Sequence, residues 1–311
     1  MQVKNFYWYV LNKPLPAGDA LDTKLSNKPF EPCLSQQLSS QGWVSAVDSG
    51  ERVYEAHGAQ LLMLKQEKRL LPASVVNEHL QLKVEEFEQA EGYKPSRKIR
   101  QQMKDDLTQA LLPKAFTKSS RLPILVFPKQ GWLMVLSGSA KSADDATAFL
   151  RETLDGLPVS LVNSDNSPSH VMTSWLKNPL SLPQDWALGE EVELQDAEGA
   201  LVRARNQDLL TDELNVHMDA GKIVSKLALI WRENVSFILQ DDLSIKRIKL
   251  LLEQEEAPDS SEGQDARFAH EFALSCNWLV PFCQALLQVM GGLDKALLAS
   301  QDRAFSGADK Y

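Results

Sequence analysis

Two apolar stripes with helical spacing stand back to back in the first third of the chain, and they limit what it can fold into. Val76, Leu80, Val84 and Phe87 recur at i, i+4, i+8 and i+11, which is one face of a helix. Gly92 and Pro95 break that run, Ser96 is placed to cap a second helix, and Ile99, Met103, Leu107 and Ala110 repeat the spacing until Pro113. The pattern predicts a helical hairpin over 75–121. It projects from a body whose strands resume only after it.

The rest of the chain alternates short strands, turns and helices. A strand is expected at 3–11, a helix at 19–27 and a strand at 58–66. Leu122–Phe127 and Trp132–Leu136, joined across Lys129-Gln-Gly131, read as a β-hairpin. Ser142, Asp144 and Asp145 open a helix that stops before Gly156, and Pro158–Val162 returns as a strand. Residues 163–183 hold three prolines (Pro168, Pro179, Pro183) and read as a loop-rich lobe boundary. Beyond it come a strand at 201–205, a helix at 212–220, a strand at 222–231, and a hairpin of Val235–Leu239 with Ile245–Leu251. An acidic loop near 253–265 leads to a C-terminal helix that ends at Gly291-Gly292, and the tail from Asp294 reads as polar and frayed. With no regular βαβ alternation, the fold class is α+β, antiparallel hairpins with packed helices. Three parts are expected: a central lobe (1–74 with 122–165), the projecting hairpin (75–121), and a second lobe with the C-terminal helix (166–311).

Charge is sorted along this chain. Eight basic residues and two acidic ones lie between Lys94 and Arg121, in a protein of net charge −9 and pI near 5.2. Such a cluster pays self-repulsion unless a polyanion collects on it, and nucleic acid is the commonest polyanion. Arg97, Arg100 and Lys104 share a strip beside the apolar face of the second helix, and Lys118 follows in the same cluster. Three β-segments each carry a basic pair of like parity: Arg203 with Arg205, Lys222 with Lys226, and Arg247 with Lys249. Like parity predicts one face per pair, which suits the evenly spaced phosphates of a duplex without any base contact. No helix-turn-helix, zinc-finger or aromatic RNA-binding motif suggests reading of sequence. Trp132, Trp231 and Trp278 lie on apolar faces and are assigned to the core rather than to base stacking.

Chemistry is thinly represented. The chain has no phosphate-binding glycine loop, no dinucleotide fingerprint and no Gly-x-Ser-x-Gly, and its five histidines are scattered without a Cys or His partner at ligand spacing. No catalytic residue, metal site or cofactor is assigned. The nearest approach to a metal site is the doublets Asp105-Asp106 and Asp241-Asp242, which a two-metal nuclease would need to gather. Asp241-Asp242 already has a role as a hairpin connection, and Asp105-Asp106 reads as a solvated helix face. Cys33, Cys276 and Cys283 form no Cys-x-x-Cys pair and read as thiols in a reducing cytoplasm. No apolar run of roughly 20 residues is seen, so no membrane partner is expected.

Several segments carry a family resemblance. They are Phe30-Glu-Pro-Cys33 with Gly42-Trp43, Lys65-Gln-Glu-Lys-Arg-Leu-Leu-Pro-Ala-Ser-Val-Val76, Leu111-Leu-Pro-Lys-Ala-Phe116, Arg203-Ala-Arg-Asn-Gln-Asp208, Ala220–Trp231 and Asp242–Lys249. In that order and spacing, from Lys4 to about Gly292, the chain resembles the RdgC family of recombination-associated proteins. The resemblance implies a homodimer closed into a ring around duplex DNA, with little sequence preference. It also implies negative modulation of RecA-driven recombination, a role at replication forks, a cytoplasmic, nucleoid-associated location and no enzymatic activity. Arg203 to Gln207 matches a DNA-contacting stretch of that family. Leu111 to Arg121 lies where the family makes a subunit contact, which points to Leu112, Phe116 and Ser119. The family often has an aromatic residue where this chain has Ser119 and Ser120. A ring would line its hole with Lys and Arg and leave acidic stretches such as Asp185–Glu198 and Glu253–Asp265 on the outside. Two other readings stand beside this one: a metal-dependent nuclease using the Asp doublets, and a module that binds recombinase directly.

Overall fold

The computed structural model describes residues 2–16, 18–47, 50–251 and 263–305. Most of the acidic loop expected at 253–265, and the tail beyond 305, lie outside the described residues. In chain order the first elements are β1 (Tyr7–Leu11), α1 (Gly18–Ser26), β2 (Ser39–Val44), β3 (Val53–Ala56) and β4 (Ala59–Leu70). Next come α2 (Ala73–Glu91), α3 (Arg97–Leu111), β5 (Phe116–Phe127), β6 (Trp132–Val135), α4 (Ala140–Thr153) and β7 (Val159–Leu161). The remainder holds α5 (Pro168–Lys177), β8 (Trp186–Gln195), β9 (Leu201–Arg205), α6 (Asp212–Asp219), β10 (Ile223–Trp231), β11 (Val235–Gln240), β12 (Ile245–Leu250), α7 (Gln264–Val289) and α8 (Lys295–Phe305). The mixed α+β class expected from the pattern is the class observed, with antiparallel ladders in both sheets.

The chain divides into two compact units. One comprises Met1–Lys24, Ser45–Leu62 and Pro123–Tyr311, and the other Leu25–Val44 and Met63–Leu122. The twelve-residue strands β4 and β5 run from one unit into the other, so each unit is assembled from separate stretches of sequence.

The larger unit contains two sheets. In one, β6 lies between β5 and β1, and β7 closes the edge beside β1. The other has the order β12-β11-β10-β8-β9. Its inner side is apolar: Val192, Leu194, Val224, Leu227, Leu229, Phe237 and Leu239 are buried, and α7 lays Phe282 edge-on to Trp231 and Phe237. The single strand expected at 3–11 does two jobs. Phe6 bridges Ile245 of β12, and Tyr7–Leu11 pair with β6 and β7.

Three expectations are corrected in this unit. The proline-rich stretch is not a loop, because Pro168 opens α5, where its missing N–H is one the first turn leaves unpaired anyway. The tail is not frayed up to residue 305, since α8 forms and Gln301 Nε2 donates to the Gln130 carbonyl at 2.7 Å. Among the described residues one helix, α7, is long and apolar enough to cross a membrane. Its Phe272, Cys276, Leu279, Phe282, Cys283 and Leu286 are nonetheless buried in the core. Burial pushes the Cys276 thiol up to about 11 and raises that of Cys283 well above its ordinary value.

The smaller unit pairs β2 with β4 in the register Ser39↔Lys68 to Val44↔Met63 and carries the α2–α3 hairpin. Ser96 caps α3 as expected, accepting a hydrogen bond from Ile99 N. Trp43, Leu64, Val76, Leu80, Leu107, Leu112 and Leu122 form its interior.

A candidate nucleic-acid interface

The β12-β11-β10-β8-β9 sheet has a second face, opposite α7, and most of the basic pairs read from sequence meet there. β9 alternates so that Ala204 is buried while Arg203 and Arg205 point the other way, each about half exposed. Register places Arg203 opposite Glu193 and Arg205 opposite Glu191 on β8. Glu193 is in turn opposite Lys226 of β10, so these groups share one face. Arg247 and Lys249 reach it from β12, where Arg247 takes a left-handed backbone (φ 51°) at a break in the β11–β12 register. Gln207 lies exposed just beyond β9, after the left-handed turn at Asn206.

Lys222 is the member of this set that departs. A bulge between Val224 and Lys226 breaks strand parity, so two even-numbered lysines do not share a face by alternation. Lys222 is instead tied to the β8–β9 turn, donating to Asp196 Oδ2 at 2.5 Å and to the Ala200 carbonyl at 2.9 Å, and its side chain is 14% exposed. The lysine's hydrogen bond, then the Ala200 amide, holds Asp196 below the ordinary carboxyl value.

The carboxylates overturn another expectation. Residues 185–198 do not form a segregated acidic exterior, because Glu191 and Glu193 stand among the cations. Glu193, whose side chain is 9% exposed, accepts from Arg203 Nε, from Lys226 Nζ at 2.9 Å and from Ser225 Oγ at 3.0 Å. Burial alone would raise its pKa, but the hydrogen bonds from Lys226, Arg203 and Ser225 outweigh burial and lower it. Glu191 pairs with Arg205, whose Nε lies 3.1 Å from Oε1, and accepts from Arg247 NH1 at 2.6 Å. The last pair links β8 to β12 although β10 and β11 intervene, so it crosses the face over Ala228 and Ile238. Lys249 is exposed and has no ion pair among the described residues. Five cations against two carboxylates give this set a net charge of +3, with Lys246 beside it opposite Ile238.

At the rim, Lys246 lies 3.5 Å from the centroid of the Tyr7 ring and donates to the Gly138 carbonyl. Burial lowers its pKa to about 8, against the opposing pull of Asp242. Sequence reasoning missed Lys246, Glu191 and Glu193. The turn residues Asp196-Ala-Glu-Gly199 between the acidic stretch and Arg203 were the signal that a hairpin brings the two together.

The smaller unit carries its own cationic surface. Arg97 and Arg100 are exposed and Lys104 is half-buried, and none of the three has an ion pair among the described residues. Lys118 and Arg121 lie on the exposed first half of β5. Of the residues named for a subunit contact, Phe116 is 85% exposed and Leu112 only 4%. Ser119 is exposed and donates to Glu67 Oε2 at 3.0 Å, and together with the Cys33 amide it lowers the Glu67 carboxyl.

The Asp doublets behave as local structure. Gln101 and Gln102 each donate to an Asp one turn on, and Asp242 Oδ1 accepts from Ser244 N within the β11–β12 turn. Among the described residues there is no group of three or more His, Cys, Asp or Glu that could hold a metal ion.

Comparison with known proteins gives a coherent result. A family model described as "Putative exonuclease, RdgC" matches residues 1–293. A Tolumonas auensis protein called recombination-associated protein RdgC is 38% identical over 299 residues, covering 94% of this chain and 99% of that protein. Aeromonas hydrophila has one of the same name, 38% identical over 304 residues and matched along 100% of its length. A Pseudomonas entomophila counterpart is 36% identical over 300 residues. Coverage this complete leaves one assignment: the chain belongs to the RdgC family of recombination-associated proteins.

Proposed function

We propose that this protein binds duplex DNA without reading its sequence, and that two copies close as a ring around it. Occupying the duplex in this way limits RecA-dependent recombination and acts at replication forks, in the cytoplasm and on the nucleoid. One observation carries the reading: strands of a single sheet deliver Arg203, Arg205, Lys226, Arg247 and Lys249 to one face, opposite the side on which α7 packs. Guanidinium and ammonium groups spread over a flat sheet suit successive phosphates rather than base edges. Arg97, Arg100, Lys104 and Lys118 in the smaller unit offer a second cationic surface, and exposed Phe116 and Ser119 suit contact with a second copy.

The test is a salt titration of affinity on several unrelated duplexes. Log affinity falls linearly with log salt, by about 0.9 per phosphate neutralised, and differs little between sequences. Arg97→Glu with Arg100→Glu, or Arg203→Glu with Arg205→Glu, weakens all duplexes alike. A strong preference for one site would overturn the reading. The same samples with Mg²⁺ and plasmid address a nuclease, for which cut DNA is the diagnostic outcome. Inhibition of strand exchange that survives excess competitor DNA would instead favour direct binding of recombinase.

A further inference from the structure

The ion pairs on the open face pose a physical question. A surface meant only to attract phosphate has no need of Glu191 and Glu193, yet both stand among its cations. Glu193 is anchored: its side chain is 9% exposed, and Ser225 Oγ donates to it beside Lys226 and Arg203. Glu191 is shared by Arg205 and Arg247, from opposite edges of the sheet. Each carboxylate therefore holds two cations. Arg203 and Arg205 meet their carboxylates at Nε, and the arginine side chains remain 51–55% exposed. A guanidinium has five N–H donors in a fixed fork, so an arginine held by one edge still presents donors to an incoming anion.

We infer that Glu191 and Glu193 set the strength of duplex binding on this face, aiming the arginine forks while cancelling part of their charge. The inference rests on the duplex-binding reading above. A phosphate arriving at Arg203 or Arg205 shares a cation that a fixed carboxylate already half neutralises. Fewer condensed counterions are then released than the number of basic side chains suggests. With net charge +3, the face gives a salt slope of about −2.7 in place of the roughly −4.5 that five uncompensated cations would give. The result is a duplex held at many points and weakly at each. Such binding suits a protein that must move along DNA or give way on it.

Replacement by glutamine removes the charge and keeps one oxygen to accept from one of the two cations, while the amide NH2 only donates and releases the other. In the full-length protein, Glu191→Gln and Glu193→Gln each steepen the salt slope by about 0.9 and tighten duplex binding about eight-fold at 0.1 M salt. Glu198→Gln, in the exposed β8–β9 turn, removes the same charge away from the cations and leaves both quantities unchanged. Glu191, the more exposed of the two, keeps the test valid if Glu193→Gln lowers the melting temperature. Wild-type binding with no gain in either glutamine variant, or an equal gain from Glu198→Gln, overturns this inference and leaves duplex binding standing. No duplex binding by any variant, even at low salt, overturns both.

Discussion

At Gly42 the chain crosses itself so closely that a Cβ would collide with Phe30 Cα and N and with the Pro29 carbonyl. Trp43 N donates to the Lys28 carbonyl at 2.9 Å, and Phe30 N to the Trp43 carbonyl at 3.1 Å, locking the crossing in place. Lys65 Nζ then lies 4.1 Å from the centroid of the Phe30 ring, and Cys33 N donates to Glu67. This is the physical content of the Phe30-Glu-Pro-Cys33 and Gly42-Trp43 motifs: two short segments that form one crossing on β4. The obstructing atoms are backbone and cannot rotate away. Gly42→Ala therefore destabilises the protein by about 3 kcal/mol in urea unfolding, at the upper end of the range for overpacking. At Gly138 the nearest atom to a new Cβ is Asn5 Nδ2 at 3.7 Å, so Gly138→Ala changes little. Comparable losses at the two glycines would show that the crossing is not what makes Gly42 necessary.

At the scale of elements, legibility followed periodicity. The stripes from Val76 and from Ile99 became α2 and α3 because a helical face repeats within a few residues of itself. The Asn-Gly-free stretch of β8 was opaque. Its strand is irregular opposite Leu227–Leu229, where Gly189 packs against Ala228, and irregular pairing hides alternation. The same limit applied to the site. That Arg203 and Arg205 share a face could be read from two residues of spacing, whereas their carboxylate partners lie ten or more residues away, across a turn. These cross-strand pairs have a consequence for acid stability. Folded Glu193 has a pKa below its ordinary 4.5, so its pairing with Lys226 and Arg203 is fully present above that value. It is lost as pH falls through the lower folded value. Glu193→Gln flattens the acid limb of the stability–pH curve below pH 4.5, with the neutral region taken as reference. An acid limb identical to wild type would mean that the three-strand tie contributes nothing to folding.

For the whole molecule, the proposed function asks how a protein of net charge −9 would retain an anionic duplex when part of its cationic charge is cancelled internally. Net charge repels at long range, but screening confines that repulsion to about 8 Å at physiological salt, so the local face governs contact. A face of net charge +3 with weakened contacts gives fast release if binding depends on contact alone. Closure by two copies changes the kinetics without adding any contact, because a duplex inside a ring escapes only by an opening event or over an end. These routes are separable. On a covalently closed circle there is no end, while on a short linear duplex of the same sequence sliding off is open. Enclosure predicts that, after competitor DNA is added at moderate salt, the protein leaves the linear duplex at least ten times faster than the circle. Blocking both ends of the linear duplex with a bulky protein should then restore the slow rate. Binding by contact alone predicts equal rates on all three substrates, each rising with salt to the same degree. Equal rates would remove the ring and leave a protein that merely coats DNA. A slow circle with an unblocked fast linear duplex requires two copies to meet around the DNA, and substitution of exposed Phe116 by Asp is then expected to speed release from the circle to the linear rate.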